Sequence, residues 1–166
     1  MNSIAIYAVD VGSRKKKRFG WASDPSSEGR DGDSLVSAIA NSLETAWRIA
    51  LGFECPLFIP VPLQWADIGK ARVGERRPWS AGAGATVTPL GVQELTWTLE
   101  KLRTQVRATI PLFFSPELWL RSDGPSLLLW EAFVTGGQDH VEDAHRACRA
   151  FQRLLKRTTW DQARQV

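Results

Sequence analysis

Four acids and one histidine stand where a chain of this kind could do chemistry: Asp10, Glu54, Glu131, Asp143 and His140. Asp10 closes the alternating apolar run Ile4, Ile6, Ala8, Val9, and Gly12-Ser13 breaks the chain just behind it. Glu54 and Glu131 fall at or near the ends of two more apolar runs, and Asp143 falls in the first turn of a C-terminal helix. A carboxylate at the end of a buried strand is costly unless it is paired or holds a metal. Magnesium takes oxygen ligands in an octahedral array and keeps several waters. Carboxylates brought from different elements to one edge would supply those oxygens. Two such ions about 3.5–4 Å apart can clamp the attacking and leaving oxygens of a phosphodiester. His140 precedes Asp143 by three residues, so both project from one helix face, as a further ligand or a proton donor.

The elements that must position these groups read as an α/β layout. Ile4–Asp10 is a strand, a basic turn follows, and Phe19–Ala22 returns as the second strand. Residues 24–33 are rich in Ser, Gly and Asp and read as a loop with a short third strand in or near it. Ser34–Glu44 carries a helical stripe of Leu35, Val36, Ile39, Ala40 and Leu43, with Asp33 or Ser34 as N-cap. Trp47–Phe53 suits a strand buried on both faces, as in a parallel sheet. Ligands in such sheets bind beyond the carboxyl ends of the strands. Residues 57–90 read as a loop-rich insertion with several prolines and a Gly/Ala run. Loops of that length are usually functional or disordered. Gly91–Ala108 is a helix whose stripe is Val92, Leu95, Leu99, Leu102 and Val106. Ser126–Val134 is another buried strand. Asp139-x-x-Glu142 forms a capping box and opens a last helix to about Lys156, with Ala144, Ala147, Cys148, Phe151 and Leu155 inside.

The 166 residues make one domain, long enough to bury a core without staples. No apolar run is long enough to span a membrane, and the N-terminus lacks the layout of a signal peptide. The two cysteines, Cys55 and Cys148, form no framework and no CxxC pair, which points to buried thiols in a reducing cytoplasm. The net charge of +3 matters less than its distribution. Basic residues gather at Arg14-Lys15-Lys16-Lys17-Arg18, at Arg72, Arg76 and Arg77, and along the last helix. The first cluster is either a solvated hairpin tip or a contact to a phosphate backbone. Arg72, Arg76 and Arg77 beside Trp79 could grip phosphate while the ring stacks a base, or form a flap packed on its own domain. The Gly/Ala run is not a phosphate-binding Walker loop, because no Gly-Lys-Ser/Thr follows it.

Val9-Asp10-Val11-Gly12 followed by Gly20-Trp21-Ala22 resembles the opening hairpin of the RNase H-like superfamily, especially its RuvC-like resolvase branch. His140-Val141-Glu142-Asp143-Ala144 resembles that branch's last-helix motif. Gly52-Phe53-Glu54-Cys55-Pro56-Leu57, with Arg76-Arg77-Pro78-Trp79-Ser80 downstream, is similar to a group of bacterial proteins identified as RNase H-like nucleases. The resemblance covers most of the chain in order, more loosely over 57–125. It implies a mixed five-stranded sheet flanked by helices, filling residues 1–166 as a single RNase H-like domain. It also implies Mg²⁺ or Mn²⁺ ligands at Asp10, Glu54 and Asp143, extended to Glu131 and His140. Glu131 departs from the pattern, since neither branch clearly fixes an acid there. Chains of the family often run further past the last helix, so trimming there is expected, and the RuvC-like branch acts as homodimers.

Each acid has a plainer reading. Asp10 could cap its turn, Glu54 could pair with an arginine, Asp143 could simply favour a helix N-terminus, and His140 could be a surface residue. The expected function is a metal-dependent nuclease acting on DNA or RNA. The alternative is an RNase H-like module that binds nucleic acid without cutting it, because a fold does not imply a function. Sugar-kinase or actin-like ATPases also end a first strand in Asp-x-Gly, but they need a second domain for which this chain has no room.

Overall fold

The computed structural model describes residues 4–13, 16, 18–24, 27–45, 48–58, 62–71, 78, 83–133 and 139–157. Strands β1 (Ile4–Asp10), β2 (Gly20–Asp24) and β3 (Glu28–Gly29) precede helix α1 (Gly32–Thr45) and strand β4 (Arg48–Phe53). After a short helical turn (Trp65–Asp67) come helix α2 (Ala83–Gln105), strand β5 (Leu112–Phe113), helix α3 (Pro116–Arg121), strand β6 (Ser126–Glu131) and helix α4 (His140–Arg157). The strands join in one sheet in the order β3-β2-β1-β4-β6-β5. The first hairpin is antiparallel, whereas β4 runs parallel to β1, and β6 parallel to β4. The architecture is α/β with a mixed sheet of six strands among the described residues, one more than expected. The extra strand is β5, which is two residues long and pairs with β6 through Leu112 and Phe113.

Strand alternation sorts side chains onto two faces. Ala5, Tyr7, Val9, Ile49, Leu51, Phe53, Leu127 and Leu129 pack with α1 and α2. Ile6, Ala8, Ala50 and Leu128 pack with α4 and with Trp119 of α3. Tyr7 ties the first face to α1 by donating its hydroxyl to the Ala38 carbonyl at 2.9 Å. The inner stripe of α4 is as the sequence predicts, with Ala144, Ala147, Cys148 and Phe151 buried and Leu155 packed against them.

Several element ends differ from expectation. The N-cap of α1 is Asp31, not Asp33 or Ser34. Its Oδ1 accepts from the Ser34 amide at 2.8 Å, and this bond holds the Asp31 carboxyl below the usual range. Helix α2 begins at Ala83, so the last part of the expected 57–90 insertion is helical, with Pro89 inside it. As the seventh residue, Pro89 removes the hydrogen bond to the Ala85 carbonyl and crowds that oxygen, yet the helix continues through it. Its buried stripe is Gly91, Glu94, Thr98 and Leu102, while Val92 is exposed. At α4, Asp139 caps the Val141 and Glu142 amides, at 2.8 and 3.3 Å. Glu142 turns instead to Arg146 at 2.5 Å.

Candidate active site

Asp10 is the last residue of β1 and continues the face of Ile6 and Ala8, so its side chain turns towards α4. Only 8% of that side chain is exposed. The Nδ1 atom of His140, the first residue of α4, stands 2.6 Å from Asp10 Oδ2. Gly20, the register partner of Asp10 on β2, makes this approach possible. A Cβ there would come within 2.6 Å of the His140 carbonyl carbon and the Val141 nitrogen. The start of α4 is fixed further by Asp139, which pairs with Arg30 at 2.5 Å besides capping the helix.

Asp143 lies one turn along α4, on the His140 face, with 12% of its side chain exposed. Its Oδ1 is buried without a hydrogen bond and sees the Arg146 guanidinium only at 3.5 Å. The helix N-terminus favours negative charge at this position. His140 thus meets Asp10 on the α4 side of the sheet, and Asp143 lies one turn further along the same face of α4. Asp10 orients the imidazole through Nδ1, which leaves Nε2 as the position for proton exchange or ligation.

The other two acids are placed differently. Glu54 follows β4, and its amide donates to the Val9 carbonyl at 2.8 Å, so it stands level with Asp10 at the same sheet edge. Glu131 ends β6 opposite Phe53 in register. Its neighbour Trp130 faces α4, stacked on Phe151 at 4.4 Å. Alternation therefore turns Glu131 to the other face, away from Asp10. There its Oε1 accepts from the Leu57 and Phe58 amides, at 2.8 and 3.0 Å, and ties down the chain that leaves β4. The expectation of a single four-acid cluster is corrected to this divided arrangement.

Glu131 has a companion that sequence reasoning missed. Glu94 of α2 is 3% exposed. Burial raises the Cys55 thiol to about 12, and the nearby charges of Glu131, Glu94 and Glu54 push the same way. Gly91 allows α2 to close on Cys55, since a Cβ at Gly91 would fall 2.2 Å from the sulfur. The signal available in the sequence was the spacing of Gly91, Glu94 and Thr98, a small-and-polar stripe parallel to the apolar one.

Among the described residues, no three His, Cys, Asp or Glu side chains are grouped to hold a metal ion by themselves. Magnesium commonly uses one or two protein carboxylates and completes its shell with water and substrate phosphate. Asp10 and Asp143, the latter with a buried oxygen that has no hydrogen bond and meets the Arg146 guanidinium at 3.5 Å, fit that donor chemistry. Of the basic residues expected at nucleic acid, Lys16 and Arg18 are exposed in the turn between β1 and β2, and both amides donate to the Ser13 carbonyl at 3.0 Å. Arg14, Lys15, Lys17, Arg72, Arg76, Arg77 and Trp79 lie outside the described residues. No helix among the described residues is long and apolar enough to cross a membrane. No protein-family model, no curated protein and no solved structure matches the chain.

Proposed function

We propose that this chain is a nuclease of the RNase H-like type that uses Mg²⁺ or Mn²⁺ to hydrolyse phosphodiester bonds in nucleic acid. The observation that carries the reading is the contact of buried Asp10 with His140, with Asp143 one turn further along the same helix. A parallel pair, β1 and β4, preceded by an antiparallel hairpin is the frame the RNase H resemblance implies, and it supports the same reading.

Asp10 and Asp143 would hold the cation, with Glu54 as the next acid along the edge. A bound divalent ion supplies an activated water and neutralises the phosphate oxygens. His140, held through Nδ1, presents Nε2 to exchange a proton at the reacting phosphate. Lys16 and Arg18 extend positive charge from the neighbouring turn for the nucleic-acid backbone.

A second reading is an inactive RNase H-like module that binds nucleic acid. In that reading the Asp10–His140 contact is a structural pair that satisfies one oxygen of the buried carboxylate. Thermal melting in Mn²⁺ separates the two. A ligand that binds only the folded state raises stability by mass action. The nuclease reading expects a rise in Tm that Asp10→Asn removes. No rise in the wild type favours the binding module.

A further inference from the structure

We propose that the apolar cavity between the end of α2 and the β5–β6 edge is a binding site for a medium-chain acyl carboxylate. The cavity holds about 450 Å³, within the range of small-molecule sites. Leu43, Leu99, Leu102, Val106, Ile110 and Leu127 form its walls. It exists because β5 stops after two residues and α2 stops at Gln105, so that neither layer covers the gap between them.

Two features select the occupant. Among the described residues the walls are aliphatic, which suits a flexible chain better than a flat ring. Arg103 and Arg107 also line the cavity, and no acid does among the described residues. Arg103 reaches Glu100 only at 4.0 Å, and Arg107 has no ion-pair partner among the described residues. The Arg107 guanidinium, without an ion-pair partner among the described residues, and the weakly paired Arg103 beside aliphatic walls are complementary to a carboxylate head and an apolar tail. Leu127 is near the start of β6, whereas Glu131 ends it. The cavity is therefore at the sheet edge opposite Asp10, and the proposal does not depend on nuclease activity.

The test is calorimetric titration of the full chain with decanoate, with amide chemical shifts followed in the ¹⁵N-labelled protein. Saturable one-to-one binding is expected, with shifts concentrated at Leu99–Ile110 and Leu127. Replacing both arginines (Arg103→Gln with Arg107→Gln) should weaken binding about tenfold or more, the usual loss for a charge-assisted hydrogen bond. Val106→Trp lies outside regular structure and should fill the cavity and abolish binding while the protein still melts cooperatively. The absence of saturable binding to the wild type would overturn the proposal. So would equal binding by the double arginine variant, or shifts scattered over the whole surface.

Discussion

The imidazole of His140 lies 2.6 Å from a carboxylate oxygen of Asp10, joining residues 130 positions apart in the chain. That contact closes the start of α4 over the end of β1 and makes the candidate site one object. His140→Ala leaves a buried carboxylate oxygen without its partner, a loss of about 1–3 kcal/mol. Denaturant unfolding of His140→Ala, Asp10→Asn and the double variant should show strong coupling, with the double costing less than the sum of the singles. Additive losses would mean that the two groups do not depend on one another.

Gly20 sets how closely α4 can approach. The added methyl of Gly20→Ala would meet the His140 and Val141 backbone at 2.6 Å, with no flexible side-chain end to yield. The helix start must move, at about 1–3 kcal/mol for overpacking of this kind. A lower Tm is expected together with altered chemical shifts at His140 and Val141. An unchanged Tm would place the α4 terminus further from β2.

Glu131 acts through the amides of Leu57 and Phe58. Glu131→Gln keeps a carbonyl oxygen to accept them and should be close to neutral in stability and in any Mn²⁺ effect. Glu131→Ala leaves both amides without that acceptor and should cost about 1–3 kcal/mol. Loss of Mn²⁺ stabilisation in Glu131→Gln would show instead that this acid is a metal ligand.

Both thiols are free and buried, and burial pushes each from its usual value near 9 up to about 12. A group with a raised folded pKa contributes stability that is complete below the unfolded value and is lost as pH rises through the folded one. Stability should therefore fall between about pH 9 and 12 as the unfolded state sheds thiol protons. Replacing Cys148 and Cys55 with alanine should flatten that fall. In the native state at pH 8 both thiols should resist iodoacetamide, and rapid alkylation would contradict their burial.

Much of this arrangement could be read from the sequence, and the exceptions share a cause. The apolar runs that become β1, β4 and β6 are long enough to be recognised, and the stripe of α4 is regular. The meeting of Asp10 with His140 was foreseen only as membership of a common site. Strand β5 has two residues and therefore no periodicity to see. Pro89 disguised the first turns of α2, because a proline inside a helix normally breaks it and the sequence therefore reads as a loop up to it. The division of the acids was hidden because it depends on register. Val9 pairs with Phe53, and Phe53 with Glu131, so Glu131 shares the face of Val9 rather than that of Asp10. Parity within one strand is legible, but parity between strands is fixed only when they pair. Glu94 was missed for a related reason: the stripe it belongs to is made of Gly, Glu and Thr, which apolar periodicity passes over.

The central claim is tested most directly by cleavage in Mn²⁺ of single-stranded, duplex, hybrid and four-way-junction substrates, with Asp143→Asn beside the wild type. The nuclease reading predicts that the wild type cuts at least one substrate and that Asp143→Asn, folded by its melting curve, cuts none. Cleavage undiminished in Asp143→Asn, or no cleavage of any substrate by the wild type, would contradict it.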